Sequence, residues 1–314
     1  MGDCREWQAH RGTILDSKNG FDVIECHPCE FKHVVPIPTL DELDRYYENT
    51  FYADKGDYFQ RHREELEWWD MVNGERYQRF EEFLPGGPGR ILDIGSGPGF
   101  FLQLGKERGW EVLGLEPGKQ AVEHARNLGV SVVHGSWSQG LLEHLGTFDV
   151  VHVGWAMEHL PDPRSFVETC YRLVRPHGLF CAVVANDYNP LQLILREHCG
   201  YDSWWLVPPE HLNYFSIPSL QRLLATCGFE CVNVTTSFPL EFFLLMGENY
   251  IGNESIGRQC HNRRRSLEFA LVRSGHARLK ADMYSALSRC NIGRDIESIV
   301  RRPSLTGGAT QEGD

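Results

Sequence analysis

The sequence contains no apolar run long enough to cross a lipid bilayer. A membrane-spanning helix needs roughly 18 or more consecutive apolar residues, and strongly apolar stretches such as Phe238–Gly247 are much shorter. The first residues also lack the apolar segment of a secretory signal peptide. We therefore expect a cytoplasmic protein that does not insert into membranes.

A surplus of positive charge is absent as well. The chain of 314 residues carries 31 Lys and Arg against 43 Asp and Glu, a net charge of −12. Proteins that bind a nucleic-acid backbone neutralise phosphates with basic side chains. The composition therefore argues against a nucleic-acid partner.

Cysteines occur without the regular spacing of a disulfide framework. The 10 cysteines are scattered, mostly within apolar segments, which suits reduced thiols in a cytoplasm. One C-x-x-C pair exists, Cys26 and Cys29. A zinc site would need two more ligands, and only Cys4 and His10 stand upstream. We expect no bound metal; zinc held by these four residues is the alternative.

The most informative stretch that is present runs from Arg90 to Phe100. A short apolar run ends at Asp93, and Gly95, Gly97 and Gly99 follow before another apolar run. This pattern predicts a buried strand, a tight turn and a helix N-terminus. Glycines let a ligand approach the backbone closely. The spacing is G-x-G-x-G rather than the G-x-G-x-x-G of dinucleotide-binding folds, which argues against a nicotinamide-dependent dehydrogenase.

A second acidic residue, Glu116, follows the glycines at the spacing of a ribose-binding carboxylate. Trp110–Glu116 predicts another strand that ends in a carboxylate. In doubly wound folds a carboxylate at about this position binds the hydroxyls of a ribose. Asp93 and Glu116 are therefore expected at the same edge of one sheet.

Together these motifs resemble the class I S-adenosylmethionine-dependent methyltransferases, in particular small-molecule enzymes with an N-terminal ribbon-like segment. The resemblance spans Arg90–Ala185 and is carried by Asp93–Gly99, Gly114–Pro117, Phe148–Val151, Glu158–Pro163 and Leu173–Gly178. Because many such enzymes carry an N-terminal zinc ribbon, the Cys26 segment looks like the remnant of one. The resemblance implies an α/β fold with a Rossmann-like seven-stranded sheet, an antiparallel last strand and helices on both faces. An N-terminal helical cap and a helical insertion before the last strand are also expected.

The sequence predicts that the chain has three parts. Residues 1–84 form the ribbon-like segment and the helical cap. Residues 85–303 form the core, with an insertion at about 238–290, and residues 304–314 are a disordered tail. Short apolar strands alternate with amphipathic helices in the core, which indicates a parallel sheet covered on both faces. The core strands are predicted at Arg90–Ile94, Glu111–Leu115, Ser131–His134, Asp149–Val153, Leu179–Val184 and Phe229–Thr235, with the last near Gly293–Pro303.

The resemblance implies S-adenosylmethionine as cofactor and S-adenosylhomocysteine as product. Asp93 is expected to accept from the cofactor's amino group and Glu116 from both ribose hydroxyls. Ser136 and Trp137 are expected beside the adenine. The full set of predicted cofactor residues is Asp93, Gly95, Gly97, Gly99, Glu116, Pro117, Ser136, Trp137 and Trp155.

Methyl transfer to a protonated nucleophile also needs a base. His211 is the first candidate, because it lies in a polar and aromatic loop expected over the carboxyl edge of the sheet, where ligands bind in open α/β folds. The catalytic candidates are His211, Asp187 and His159, with Glu210 behind them. The predicted substrate-binding residues are Tyr52, Tyr58, Asn213 and Tyr214.

These observations predict a methyltransferase that acts on a small polar acceptor, with oxygen favoured over nitrogen or carbon. A sugar or a natural-product precursor fits the ribbon-like segment. Two alternatives stay open: a cofactor-binding partner subunit without turnover, and a tRNA or protein methyltransferase, which the acidic charge disfavours. A monomer or a homodimer is expected.

Overall fold

The structure is a computed structural model that describes residues 3–39, 42–43, 62–137, 140 and 144–304. Two sheets and nine helices are assigned within these ranges. The strands are β1 (Cys4–Trp7), β2 (His10–Lys18), β3 (Phe21–Cys26), β4 (Lys32–Val35), β5 (Arg90–Ile94), β6 (Glu111–Glu116), β7 (Val132–His134), β8 (Phe148–Gly154), β9 (Val174–Ala185), β10 (Asn213–Tyr214), β11 (Glu230–Thr236) and β12 (Asp295–Arg301). The helices are α1 (Leu66–Phe83), α2 (Phe100–Glu107), α3 (Lys119–Asn127), α4 (Pro163–Leu173), α5 (Pro190–His198), α6 (Ile217–Thr226), α7 (Glu241–Leu245), α8 (Glu254–Arg273) and α9 (Ala277–Arg289).

The larger sheet has seven strands in the order β11-β12-β9-β8-β5-β6-β7. β5 to β9 run parallel to one another, and β12 is antiparallel to both of its neighbours, β9 and β11. The predicted fold class is therefore confirmed, including the antiparallel last strand. β9 begins at Val174, five positions before the predicted start, because its first residues continue directly from α4.

Alternate residues of the central strands pack into two separate hydrophobic cores, one on each face of the sheet. Ile91 packs into the core that contains Tyr77 of α1, whereas Leu92 packs into the core that contains Phe166 of α4. All four side chains are fully buried. This alternation on a sheet covered on both faces explains why β5 and β8 read as nearly continuous apolar runs.

Several helices begin where the sequence supplies an N-cap. Asp162 accepts a hydrogen bond from the backbone N–H of Ser165 at 3.0 Å and opens α4. Asn189 accepts from the N–H groups of Leu191 and Gln192 and opens α5. These contacts satisfy backbone donors that a helix start leaves without partners.

Helix α1 lies on the sheet through a buried ion cluster. Arg76 Nε donates to Glu297 Oε2 at 2.8 Å, and Arg79 Nη2 donates to Glu297 Oε1 at 2.6 Å. Burial alone would raise the pKa of Glu297, but Arg79 and Arg76 lower it to about 2. Within the described residues, α1 represents the predicted helical cap.

The N-terminal strands form a second, antiparallel sheet in the order β1-β2-β3-β4-β10. Its fifth strand comes from the core: Asn213 pairs with His33, and Tyr214 with Lys32. The ribbon-like segment therefore shares a sheet with the loop that contains His211. The predicted boundary at residue 84 stays a prediction.

The expected insertion before the last strand consists of α7, α8 and α9. None of the helices within the described ranges is both long and apolar enough to span a bilayer. The tail from residue 305 onwards lies outside the described residues.

Candidate functional site

The glycine loop lies between β5 and α2, and two of its glycines, Gly97 and Gly99, have different surroundings. Gly95, Gly97 and Gly99 all have positive φ, at 78°, 51° and 86°. A Cβ on Gly97 would meet no atom within 4 Å, whereas one on Gly99 would lie 2.6 Å from Cβ of Ala125 in α3. Gly97 therefore leaves open space for a ligand beside the backbone, and Gly99 is required for helix packing.

Glu116 stands at the end of β6 and is 2% exposed. Its Oε2 accepts from the N–H of Gly97 at 2.9 Å, and its Oε1 from the N–H of Gly118 at 2.7 Å. A carboxylate can accept more hydrogen bonds than these two. Next to it, the carbonyl of Pro117 accepts from His134 Nε2 at 3.0 Å. Glu116 thus lies directly beside the open space at Gly97.

Asp93 is buried in β5 and forms a hydrogen bond within the sheet. Nδ1 of His152, its neighbour across the β5–β8 pair, donates to Asp93 Oδ1 at 2.7 Å. The imidazole of His152 also stacks on Phe101, with ring centroids 4.3 Å apart. This contact anchors the strand that leads into the glycine loop. Contact between Asp93 and the amino group of a cofactor stays a prediction.

The aromatic candidates occupy different surroundings. Trp137 is partly buried against Phe166, with centroids 5.3 Å apart, and Ser136 beside it is exposed. Trp155 follows β8, is 38% exposed, and donates from Nε1 to Asp295 Oδ1 at 3.1 Å. Both tryptophans follow carboxyl ends of parallel strands, on the edge that carries the glycine loop.

The same edge brings together the predicted catalytic residues. His211 Nδ1 lies 3.8 Å from Asp187 Oδ2. The rings of His211 and His159 meet edge to face, with centroids 5.0 Å apart, and His159 Nδ1 donates to the carbonyl of Glu210 at 2.6 Å. A ligand atom of Glu158 also lies within 4.8 Å of one on each histidine.

The charges in this cluster oppose the effect of burial. Burial alone would lower the pKa of His211, but Asp187 and Glu158 outweigh it and raise that pKa above its ordinary value. Burial raises the pKa of Glu158 to about 7, although His211 opposes this shift. The cluster therefore contains two titratable groups whose pKa values are both raised by their surroundings.

Two of the predicted substrate-binding residues hold the His211 loop in place. Asn213 is 3% exposed, and its side-chain amide donates to the carbonyls of Met157 and Leu160 at 3.1 and 2.7 Å. Tyr214 is buried and donates from its hydroxyl to the carbonyl of His211 at 3.2 Å. Both side chains are buried and hydrogen-bonded to the backbone, so they help to position the loop, and their contact with a substrate stays a prediction.

The other two predicted substrate residues, Tyr52 and Tyr58, lie outside the described residues. In contrast, the structure adds Glu158 to the candidate site. Its side chain is 2% exposed. The sequence signal was the Glu-His pair in the segment after β8, and the backbone carbonyl of Glu158 accepts a hydrogen bond from the N–H of Leu212, next to β10.

Residues 59–234, more than half of the chain, match the family model described as "Methyltransferase domain". The chain belongs to this methyltransferase family. This result confirms the resemblance inferred from the glycine loop and the motifs that follow it.

Curated relatives cover a shorter part of the chain. The ubiquinone biosynthesis O-methyltransferase of Proteus mirabilis is 32% identical over 127 residues, which are 35% of this chain and 52% of that protein. The enzyme of the same name from Alkalilimnicola ehrlichii is 34% identical over 146 residues, 41% of this chain and 59% of that protein. The chain thus spans about half the length of these relatives.

Solved structures share the fold. A SAM-dependent methyltransferase from Archaeoglobus fulgidus superposes with a TM-score of 0.50 at 21% identity, over 78% of this chain and 99% of that one. The plantazolicin methyltransferase BamL, solved with a triazolic desmethylPZN analog and SAH, gives 0.53 at 15% identity, over 83% and 94%.

The solved BamL structure contains SAH; for this chain, S-adenosylmethionine as cofactor and S-adenosylhomocysteine as product stay a prediction. The local geometry fits this molecule. The space beside Gly97 is open, and the carboxylate of Glu116 accepts a hydrogen bond from the N–H of Gly97; contact of Glu116 with the ribose hydroxyls of a cofactor stays a prediction.

Proposed function

We propose that this protein transfers a methyl group from S-adenosylmethionine to an oxygen of a small polar molecule. The observation that supports it most is the cluster of His211, Asp187 and Glu158 on the sheet edge that carries the glycine loop. The O-methyltransferase names of the curated relatives favour oxygen over nitrogen or carbon. A sugar or a natural-product precursor is the acceptor class that we favour.

Bound S-adenosylmethionine supplies a methyl group that is activated by the positive charge on its sulfur. The acceptor oxygen would attack this methyl group as its bond to sulfur breaks, and the proton of the acceptor would pass to Nε2 of His211. Asp187 faces Nδ1 of the same ring and stabilises the imidazolium that results. Glu158 is buried, so it acts through its charge on His211 rather than by contact with the acceptor.

We place this activity in the cytoplasm. All ten cysteines are free, which supports a reducing compartment. The net charge of −12 favours a small-molecule acceptor over a nucleic acid. A monomer or a homodimer remains our proposal for the oligomeric state.

Replacing the base tests this function. Methyl-labelled S-adenosylmethionine is incubated with the protein and a deproteinised small-molecule extract, and labelled products are identified by mass spectrometry. With an alcohol or phenol acceptor found in this way, His211→Ala should lower kcat by about 10²–10⁴-fold. Affinity for S-adenosylhomocysteine should stay unchanged, because His211 is not among the residues proposed to bind the cofactor.

The matched control is His198→Ala, which removes an exposed histidine at the end of α5 and should leave kcat unaltered. A fully active His211→Ala enzyme would contradict the assignment and move the search for the base to Asp187 and His159. Binding of S-adenosylhomocysteine with no labelled product from any extract would instead favour a cofactor-binding subunit.

A further inference from the structure

The N-terminal sheet brings four potential metal ligands to one point, and none of the four is among the residues proposed for methyl transfer. His10 is the first residue of β2, and Cys26 is the last residue of β3. Cys29 lies in the turn between β3 and β4, and His33 lies within β4. Strand pairing aligns these positions, since Cys26 is opposite Gly12 and His33 is opposite Ile24.

The separations between ligand atoms match a tetrahedral zinc site. His10 Nδ1 lies 3.2 Å from His33 Nε2, 3.4 Å from Cys29 Sγ and 3.8 Å from Cys26 Sγ. All four ligand atoms lie within 4.8 Å of one another. Tetrahedral zinc with its usual bond lengths places two nitrogens about 3.4 Å apart and a nitrogen and a sulfur about 3.6 Å apart.

The hydrogen bond of His33 to the backbone identifies its Nε2 as the ring nitrogen that has a lone pair directed at the cluster. Its Nδ1 donates to the carbonyl of Val34 at 2.9 Å, so Nε2 of the neutral ring is an acceptor. His10 Nδ1 therefore faces one imidazole acceptor and two cysteine sulfurs at once. A single N–H can satisfy only one of these, whereas a cation between the four atoms satisfies all of them. A backbone carbonyl on the distal nitrogen is the usual support of a metal-bound histidine.

We propose that His10, Cys26, Cys29 and His33 bind one zinc ion. Thiolate and imidazole ligands together select zinc among the common divalent ions. Two thiolates balance the charge of the ion, which suits a site where Cys26 and His33 are buried. Because all four ligands come from the protein, the site is closed and structural rather than catalytic.

The ligand set differs from the one considered from the sequence. His33 takes the fourth position instead of Cys4. Cys4 is exposed, is the first residue of β1 and lies opposite Thr13. The expectation of an N-terminal hairpin without metal is thereby replaced by this proposal. Its consequence for the fold is direct: β4 pairs with β10, so zinc would fix the strand that carries the loop of His211.

Metal analysis of the full chain tests the site. Protein purified without added metal and dialysed against a weak chelator should retain about one zinc ion per chain, measured by mass spectrometry of the elements. Cys29→Ser and His33→Gln should each lose most of this zinc. Cys4→Ser is the matched control, because it removes an exposed thiol outside the cluster, and it should retain the metal.

Cobalt provides a readout that needs no variant to fold. The zinc-free protein titrated with Co²⁺ should develop the intense visible bands of tetrahedral cobalt and a thiolate-to-cobalt charge-transfer band. Their absence from the wild-type protein would overturn the proposal, as would zinc retention that is unchanged in folded Cys29→Ser and His33→Gln. A disulfide between Cys26 and Cys29, detected by thiol titration of the freshly purified protein, would overturn it as well.

Discussion

At the scale of single residues, the behaviour of the candidate base depends on its neighbours rather than on its own type. The sequence can nominate a loop histidine as a base but cannot show which groups surround it. In the structure, Asp187 at 3.8 Å and buried Glu158 make His211 a proton acceptor with a raised pKa. Only the neutral imidazole can accept a proton. Activity that depends on His211 should therefore rise with pH through a midpoint above the ordinary value of about 6.5.

Asp187→Asn should move this midpoint to lower pH, because the variant removes one of the carboxylates that raise the pKa of His211. The measurement is the pH profile of kcat/KM, which reports groups of the free enzyme. Asp202→Asn, at an exposed aspartate, serves as control and should retain the wild-type profile. An unchanged midpoint in Asp187→Asn would show that Asp187 does not set the titration.

Glu116 carries the second prediction at this scale. Glu116→Ala should weaken binding of S-adenosylhomocysteine by about 1.5–3 kcal/mol, the range for hydrogen bonds to a charged group. Titration calorimetry measures it. Glu111→Ala removes an exposed carboxylate at the start of the same strand and should bind normally. Equal affinity of folded Glu116→Ala and wild type would remove Glu116 from the cofactor site.

At the scale of elements, the core strands could be predicted closely and the loops that complete the site could not. β5 and β8 are buried on both faces, so their apolar composition identifies them locally. The positions of Asn213 and Glu158 depend instead on a loop whose two-residue strand pairs with a distant part of the chain. His33 likewise reads as an ordinary strand residue until β2 and β3 bring His10 and Cys26 beside it.

The two ends of the glycine loop should respond differently to the same substitution. Gly99→Ala adds a methyl group 2.6 Å from Cβ of Ala125, so it should destabilise the fold by about 1–3 kcal/mol through overpacking as well as through backbone strain. Gly97→Ala meets no protein atom and should cost only strain of roughly 1–2 kcal/mol, but it should strongly weaken cofactor binding.

Denaturant unfolding and calorimetry with S-adenosylhomocysteine separate these two effects. If the loop is interpreted correctly, Gly97→Ala unfolds at a higher denaturant concentration than Gly99→Ala. Gly97→Ala should nevertheless lose more affinity for S-adenosylhomocysteine than its small loss of stability explains. If Gly97→Ala binds the cofactor normally, the open space at that residue is not the cofactor site.

At the scale of the whole molecule, one carboxylate links the N-terminal sheet to the core. Asp16 of β2 accepts from Tyr188 at 2.8 Å, Ser203 at 2.9 Å and Arg196 at 3.0 Å, all three contributed by the segment that follows β9. Tyr188 also packs against Tyr214 next to the His211 loop, with centroids 5.9 Å apart. The N-terminal sheet is thus joined to the catalytic edge by side chains as well as by strand pairing.

Asp16→Ala should lower the free energy of unfolding by about 1–3 kcal/mol, because it leaves partly buried donors without their acceptor. Asp22→Ala, on the neighbouring strand, removes a carboxylate whose partners Ser17 and Arg5 are exposed and should change stability by less than about 0.5 kcal/mol. Equal unfolding midpoints for the two variants would mean that Asp16 does not join the sheets.

The pairing of β4 with β10 also has a consequence for synthesis on the ribosome. β1 to β4 leave the ribosome before β10, and the edge of β4 is covered only after five strands of the larger sheet have been made. During that interval the edge presents unpaired backbone groups, which favour association with other chains. We therefore expect newly made chains to depend on chaperones until residues 213–214 arrive, and the N-terminal sheet expressed alone to aggregate unless its open edge is covered.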